Sequence, residues 1–184
     1  KKIKIGYIGR VDSYRGFDKI IKSFPDINSN VQFILTGNFA SETFSPEILN
    51  ILNEQIKIGK VILKDLIPFN ELEHEISQND YMLITTSDDI VSKYYCSPLK
   101  YYDYLACTKN IISPSAPAYY NICEMNQFTP YFYDHSNIDS FIEMINNLDK
   151  KNKTYYENEH IMSYKERAKK IIKLLDNIEI RIKK

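Results

Sequence analysis

Residues 97 to 103 read SPLKYYD, an order that fits an anion site at the start of a helix. Ser97 suits an N-cap and Pro98 the first helical position, which leaves the amides of Leu99 and Lys100 pointing outward without intrahelical partners. Exposed amides and the helix dipole attract phosphate there. Lys100 and Asp103 stand three residues apart on one face. A ligand with its phosphate at the helix start therefore brings its hydroxyls toward the Asp103 carboxylate, an acceptor suited to ribose. Taken alone, the stretch reads as a capped helix carrying a surface Lys-Asp pair.

Two further loops offer related chemistry. In GRVDSYRG (9 to 16), glycines at both ends let the backbone turn and approach a ligand, while Arg10 and Arg15 suit bidentate contacts to the oxygens of a diphosphate. Solvated loop arginines are the plain alternative. The dinucleotide fingerprint GxGxxG is absent, because the glycines fall at Gly6, Gly9 and Gly16. In TGNF (36 to 39), Gly37 and Asn38 tolerate a left-handed turn that keeps the chain near a ligand, although turn chemistry alone accounts for them.

The elements that must position these loops follow from apolar patterning. Short β-branched or aromatic runs at 4 to 9, 31 to 37, 61 to 64, 80 to 87, 110 to 113 and 130 to 133 predict strands. Helical patterns lie between them. Phe17, Ile20, Ile21 and Phe24 form one stripe ended by Pro25, and further helices are predicted over 46 to 56, 70 to 77, 97 to 107 and 137 to 148. Strands alternating with helices predict an α/β fold: a Rossmann-like, doubly wound parallel sheet covered on both faces. Ligands of such sheets sit beyond the carboxyl ends of the strands, where all three loops belong. The predicted organisation is one domain over 1 to 150, then a C-terminal extension over 151 to 184 with a long helix carrying Tyr164, Ala168, Ile171, Ile172, Leu175 and Ile178 on one side and packing back on the domain.

Composition narrows the function classes. The chain of 184 residues is 43% hydrophobic and 26% charged, the balance of a soluble globular domain. Its 24 basic and 24 acidic residues cancel, which argues against nucleic acid as a partner. No run approaches a membrane span, and the expected location is the cytoplasm. Cys96, Cys107 and Cys123 have neither an even count nor metal-ligand spacing. Asp88 and Asp89 are read as part of a polar loop rather than a metal pair, so no metal is expected. His74, His135 and His160 are isolated in sequence and are expected to be structural or superficial.

Four segments in order resemble the C-terminal, nucleotide-sugar-binding domain of family 4 retaining glycosyltransferases of GT-B fold, the "glycosyl transferases group 1". They are IGYIGRVDSYRGFDKIIKSF, VQFILTGNF, VILKDLIPFNELEHEISQNDYMLITTS and SPLKYYDYLACTKNIIS, and the resemblance as a whole covers about residues 3 to 150. The resemblance implies one half of a GT-B enzyme, with a nucleotide diphosphate sugar as donor and a glycan or lipid-linked acceptor held by an N-terminal domain outside these residues. It also implies no cofactor, and peripheral membrane association of the full-length enzyme. Arg10 and Arg15 would carry the catalytic charge, with Gly9, Gly37 and Asn38 close to the donor. Ser97, Pro98, Leu99 and Lys100 would hold its phosphates, and Asp103 its ribose. The loop at Asp65, Leu66 and Ile67 would bracket the base.

Departures from the family pattern keep two alternatives open. Tyr95 stands where relatives carry the first of two glutamates, Asp103 takes the second place, and Ala106 to Asn110 lacks the usual Gly and Pro. The alternatives are a non-catalytic nucleotide- or partner-binding domain and a sugar-nucleotide epimerase half.

Overall fold

The computed structural model describes residues 2–95, 99–108, 110–126 and 128–149, together with Ala168, Lys169 and Ile172. Its strands are β1 (Ile3–Ile8), β2 (Val31–Thr36), β3 (Val61–Lys64), β4 (Tyr81–Leu83), β5 (Ile111–Pro114) and β6 (Tyr131–Tyr133). All pair in parallel, in the order β3-β2-β1-β4-β5-β6. The predicted α/β sheet is what forms. The helices are α1 (Phe17–Ser23), α2 (Pro46–Lys57), α3 (Leu72–Ser77), α4 (Ile90–Tyr94), α5 (Leu99–Leu105), α6 (Pro117–Met125) and α7 (Ile138–Asn146).

Side-chain alternation along the strands divides the core into two layers. Tyr81 and Leu83 of β4 enter the layer built with Phe17, Ile21, Leu52 and Phe141 from α1, α2 and α7. Met82 and Ile84 enter the opposite layer, with Ile76, Tyr101, Tyr104 and Ile122 from α3, α5 and α6. The sheet is thus covered on both faces, as a doubly wound fold requires. Backbone packs closely where β1 meets β4: a Cβ on Gly6 would come within 2.6 Å of the Asn79 side chain and 2.9 Å of Met82 Sδ.

Local sequence explains most boundaries. Ser45 caps α2 by accepting the Ile48 amide at 3.4 Å, with Pro46 at the first helical position. α1 ends at Ser23 and tightens into a 3-10 turn over Phe24–Asp26, where Pro25 cannot donate. Two helices depart from expectation. The polar loop predicted around Asp88 instead turns into α4, which Asp89 caps through the Ser92 amide at 2.9 Å. Ile90 and Val91 stay exposed there, so α4 has no buried stripe to signal it. α6 does bury Tyr119, Ile122 and Cys123, a helical spacing passed over in the sequence reading. β4 is shorter than the predicted 80 to 87, since its ladder stops at Leu83.

Ala168, Lys169 and Ile172 are helical and exposed. The rest of the predicted C-terminal helix, and its packing on the domain, lie outside the described residues. Among the described residues no helix is long and apolar enough to cross a membrane.

Candidate functional site

The strand order changes direction at β1, which has β2 on one side and β4 on the other, so the crevice beyond their carboxyl ends is the expected ligand position. A cleft of about 480 Å³ opens there. Tyr7 at the end of β1, Ile84 after β4 and Tyr119 of α6 line its base, and Thr85, Thr86, Ser87 and Ser92 line it with hydroxyls. Arg15 and Lys100 bring positive charge to the same cleft, and Tyr14 and Leu99 complete it. No carboxylate lines the cleft among the described residues.

The loop after β1 is built around Asp12, a residue that is only 1% exposed. Its Oδ1 accepts the Arg15 amide at 3.0 Å, capping the 3-10 turn Ser13–Arg15. Its Oδ2 meets both Arg10 Nε, at 3.0 Å, and Arg15 Nη1. Arg10 also faces Glu42, with Nη2 to Oε1 at 3.8 Å. The two guanidiniums are half-exposed and stand side by side, but only Arg15 lines the cleft.

Neighbouring loops hold this one in place. The Val11 amide donates to Asn38 O at 2.8 Å, and the Ala40 amide donates to Val11 O at 3.0 Å, stitching together the loops that leave β1 and β2. At the crossing Gly37 has φ +133, and a Cβ there would collide with the Gly9 carbonyl. Gly16, at φ +77, lies so close to Thr86 O that any side chain would strike it. Loop and cleft wall are therefore in backbone contact.

Helix α5 supplies Lys100. Its ammonium lies 5.2 Å from the centre of the Tyr7 ring, in cation-π range. It also packs so close to Gly9 that a Cβ there would come within 2.8 Å of Lys100 Nζ. The Tyr7 hydroxyl donates to Arg10 O at 3.0 Å, and burial pushes its pKa up to about 12, which keeps it a neutral donor. Burial likewise raises the Asp103 carboxyl, with Lys100 opposing the shift. Asp103 is half-buried and lines neither this cleft nor the next.

A second cleft, of about 340 Å³, joins Gly37, Asn38 and Phe39 to Leu63, Lys64, Asp65 and Leu66. The lysine is anchored: Lys64 Nζ meets Glu75 Oε1 at 2.8 Å, and the buried Glu75 accepts the Thr36 hydroxyl at 3.0 Å. Gly37, Asn38 and Leu66 thus share one cavity, whereas Ile67 does not line it. Ser97 and Pro98 lie outside the described residues, as does Cys96. Leu99 and Lys100 belong to the first cleft.

The remaining candidates are committed elsewhere. Asp88 pairs with Lys19 and approaches Lys93 at 3.9 Å and His135 at 3.6 Å; the Lys19 hydrogen bond holds its carboxyl below the usual range. Asp89 is taken up by Ser87 and Ser92. Among the described residues no cluster of three His, Cys, Asp or Glu side chains could hold a metal. His135, read from sequence as isolated, in fact faces this charged group. Asp12 and the hydroxyl wall escaped the sequence reading. An aspartate three residues before Arg15 in a Gly-bounded loop was the available signal for the former, while the wall forms only when the chain folds.

No family model and no curated protein sequence matches the chain. Solved structures do. Anabaena Alr3699/HepE in complex with UDP and glucose matches with a TM-score of 0.57 at 14% identity, covering 79% of this chain and 38% of that one. The C-terminal domain of a glycosyl transferase group 1 family protein (LpcC) from Francisella tularensis matches at 0.56 and 14% identity over 77% of this chain and 72% of that one. The catalytic domain of cholesterol-alpha-glucosyltransferase from Helicobacter pylori matches at 0.54 and 12% identity, covering 79% and 85%. The chain therefore has the Rossmann-like fold found in GT-B glycosyltransferases. At these identities the likeness is one of fold, and the chain spans 38% of the length of the HepE protein.

Proposed function

We propose that this chain is the donor-binding domain of a retaining glycosyltransferase, moving a sugar from a nucleotide diphosphate to a glycan or lipid-linked acceptor held by a facing domain. One observation carries the reading: Arg15 and Lys100, from loops far apart in sequence, line a single cleft at the switch point of a GT-B-like sheet. UDP and glucose in the HepE complex add support through the shared fold.

In this reading the diphosphate lies at Arg15 and Lys100, with Arg10 adjoining, and the base occupies the cleft at Asn38, Lys64 and Leu66. Gly9 and Gly37 let backbone approach the donor. Asp103 is assigned to ribose, and Ser97, Pro98 and Leu99 to phosphate. As the bond between sugar C1 and phosphate oxygen breaks, its electron pair stays on the oxygen. Fixed cations stabilise the charge that develops there, and no metal is needed for that task. The acceptor hydroxyl oxygen then bonds to C1, and its proton passes to the departing phosphate oxygen.

Titration calorimetry with UDP, GDP, ADP, TDP and uridine tests this. One diphosphate should bind selectively, and Arg15→Ala or Lys100→Ala should weaken it about tenfold or more while leaving the nucleoside nearly unchanged. Equal loss for nucleoside and diphosphate would contradict the assignment. The cleft's lack of a described carboxylate, together with the 78% exposure of Tyr95, favours a second reading: a nucleotide-binding domain without transferase activity. Selective binding with no transfer by the full-length protein would select it. Inversion of a sugar nucleotide without acceptor would select an epimerase instead.

A further inference from the structure

From the shared Asp12 oxygen we infer that Asp12 is a positioning residue, which holds Arg10 and Arg15 as a fixed pair and thereby sets the site's preference for two linked phosphates over one. The inference rests on the diphosphate reading of the cleft. Asp12 is buried to 1% exposure and does not itself line the cleft. Its two oxygens are divided between tasks. Oδ1 accepts the Arg15 amide at 3.0 Å and shapes the turn. Oδ2 takes Arg10 Nε at 3.0 Å together with Arg15 Nη1.

A guanidinium has five donors in a rigid plane, so engaging one edge against a carboxylate leaves the others aimed outward. Two such groups on one oxygen are held next to each other, Arg15 lining the cleft and Arg10 beside it. Adjacent phosphoryl groups can then each meet one arginine. A lone phosphate engages one and leaves the other idle. Unpaired arginines would lose rotamer freedom on binding, and the carboxylate removes much of that freedom beforehand. One negative charge against two positive ones still leaves the loop cationic. Glu42, at 3.8 Å from Arg10 and mostly exposed, is too loose to do the same.

The test uses pyrophosphate and orthophosphate as base-independent probes, with UDP alongside, titrated into the 184-residue chain. The wild type should bind pyrophosphate more tightly than orthophosphate. Asp12→Asn should lower that ratio about tenfold, the scale of losing one charge-assisted orienting contact. Asp12→Ser retains an acceptor for the Arg15 amide, so the turn survives, and it should lower the ratio similarly even if the asparagine variant folds poorly. In an Arg10→Ala background, Asp12→Asn should change the ratio much less, since the pair is already broken.

A carboxylate that only competes with ligand would, on removal, tighten both anions and pyrophosphate more; that result overturns the inference. So does an unchanged ratio accompanied by a lower melting temperature, which would make Asp12 a support of the turn alone. A wild-type chain that binds UDP without preferring pyrophosphate overturns it while leaving the nucleotide reading intact. Binding of neither UDP nor pyrophosphate overturns both.

Discussion

The hydroxyl of Tyr104 accepts the Ile8 amide at 3.0 Å, joining α5 to the last residue of β1. The paired register of β1 with β4 covers only Ile5 and Gly6, so Ile8 lies where the two strands have separated and the crevice opens. A buried phenol from the helix takes the amide that the sheet leaves unpaired, and the same helix carries Lys100 to Gly9. Tyr104→Phe should cost about 1–3 kcal/mol, the penalty of an amide left without its partner. It should also weaken pyrophosphate binding, because α5 is no longer pinned to the strand end. Denaturant unfolding and calorimetry on the same sample check both effects; a stability loss with unchanged binding would restrict Tyr104 to packing.

The crossing of the first two loops makes a prediction for glycine. Gly37→Ala would drive a Cβ into the Gly9 carbonyl at φ +133 and should cost roughly 3 kcal/mol or more. Gly59 also has a positive φ, of 69°, but nothing lies within 4 Å of its Cβ position. Gly59→Ala should therefore cost only about 1 kcal/mol, the conformational term alone. Comparable losses for the two variants, measured by urea unfolding, would refute the close approach of the loops.

Removing Lys64 leaves the carboxylate of Glu75 buried, with the Thr36 hydroxyl as its remaining partner in that cluster. Full loss of a partner from a buried pair costs about 3–5 kcal/mol. The Lys64 side chain is 41% exposed, so solvent screening reduces the expected cost of Lys64→Met to about 1–2 kcal/mol. Lys64→Met/Glu75→Gln should recover part of it. A double mutant no more stable than the single one would show that the pair is not coupled.

Histidine sets an acid limb of stability. Burial, and then Lys93, hold the His135 imidazole below its ordinary value of 6.5, while Asp88 and Asp134 pull it upward. The unfolded chain then takes up the proton at higher pH than the folded one. The His135 contribution is thus intact above the ordinary value and is lost as pH falls from there through the lowered folded value. His135→Gln should flatten this limb from the ordinary imidazole value downward, read from denaturation midpoints on the acid side of neutrality. An unchanged slope would assign the limb to other groups.

Much of the architecture is legible in the residues themselves. Each strand is a short apolar run between turn formers, and alternation along β4 and the residue after it distributes Tyr81 and Leu83 to one layer and Met82 and Ile84 to the other. α4 was hidden because Ile90 and Val91 face solvent, leaving a cap at Asp89 as its one local mark. At the candidate site, Arg15 and Lys100 could be chosen from their loops. Local sequence did not reveal that Arg10 turns toward Asp12 and Glu42, nor that Asp103 lines neither cleft, because both depend on how separate segments converge.

The all-parallel order of the sheet also bears on how the chain reaches this state. β1 precedes the other described strands and lies inside the sheet, but its neighbour β4 arrives late: the Lys4 amide donates to the Asp80 carboxylate 76 residues away. No two described strands are joined by a hairpin that could nucleate the sheet locally. Such distant contacts impose a loop-closure barrier before they repay it, so refolding belongs in the slower range of single domains. During synthesis the apolar strand Ile3–Ile8 must wait, unpaired on its β4 side, until residues 81 to 83 have emerged.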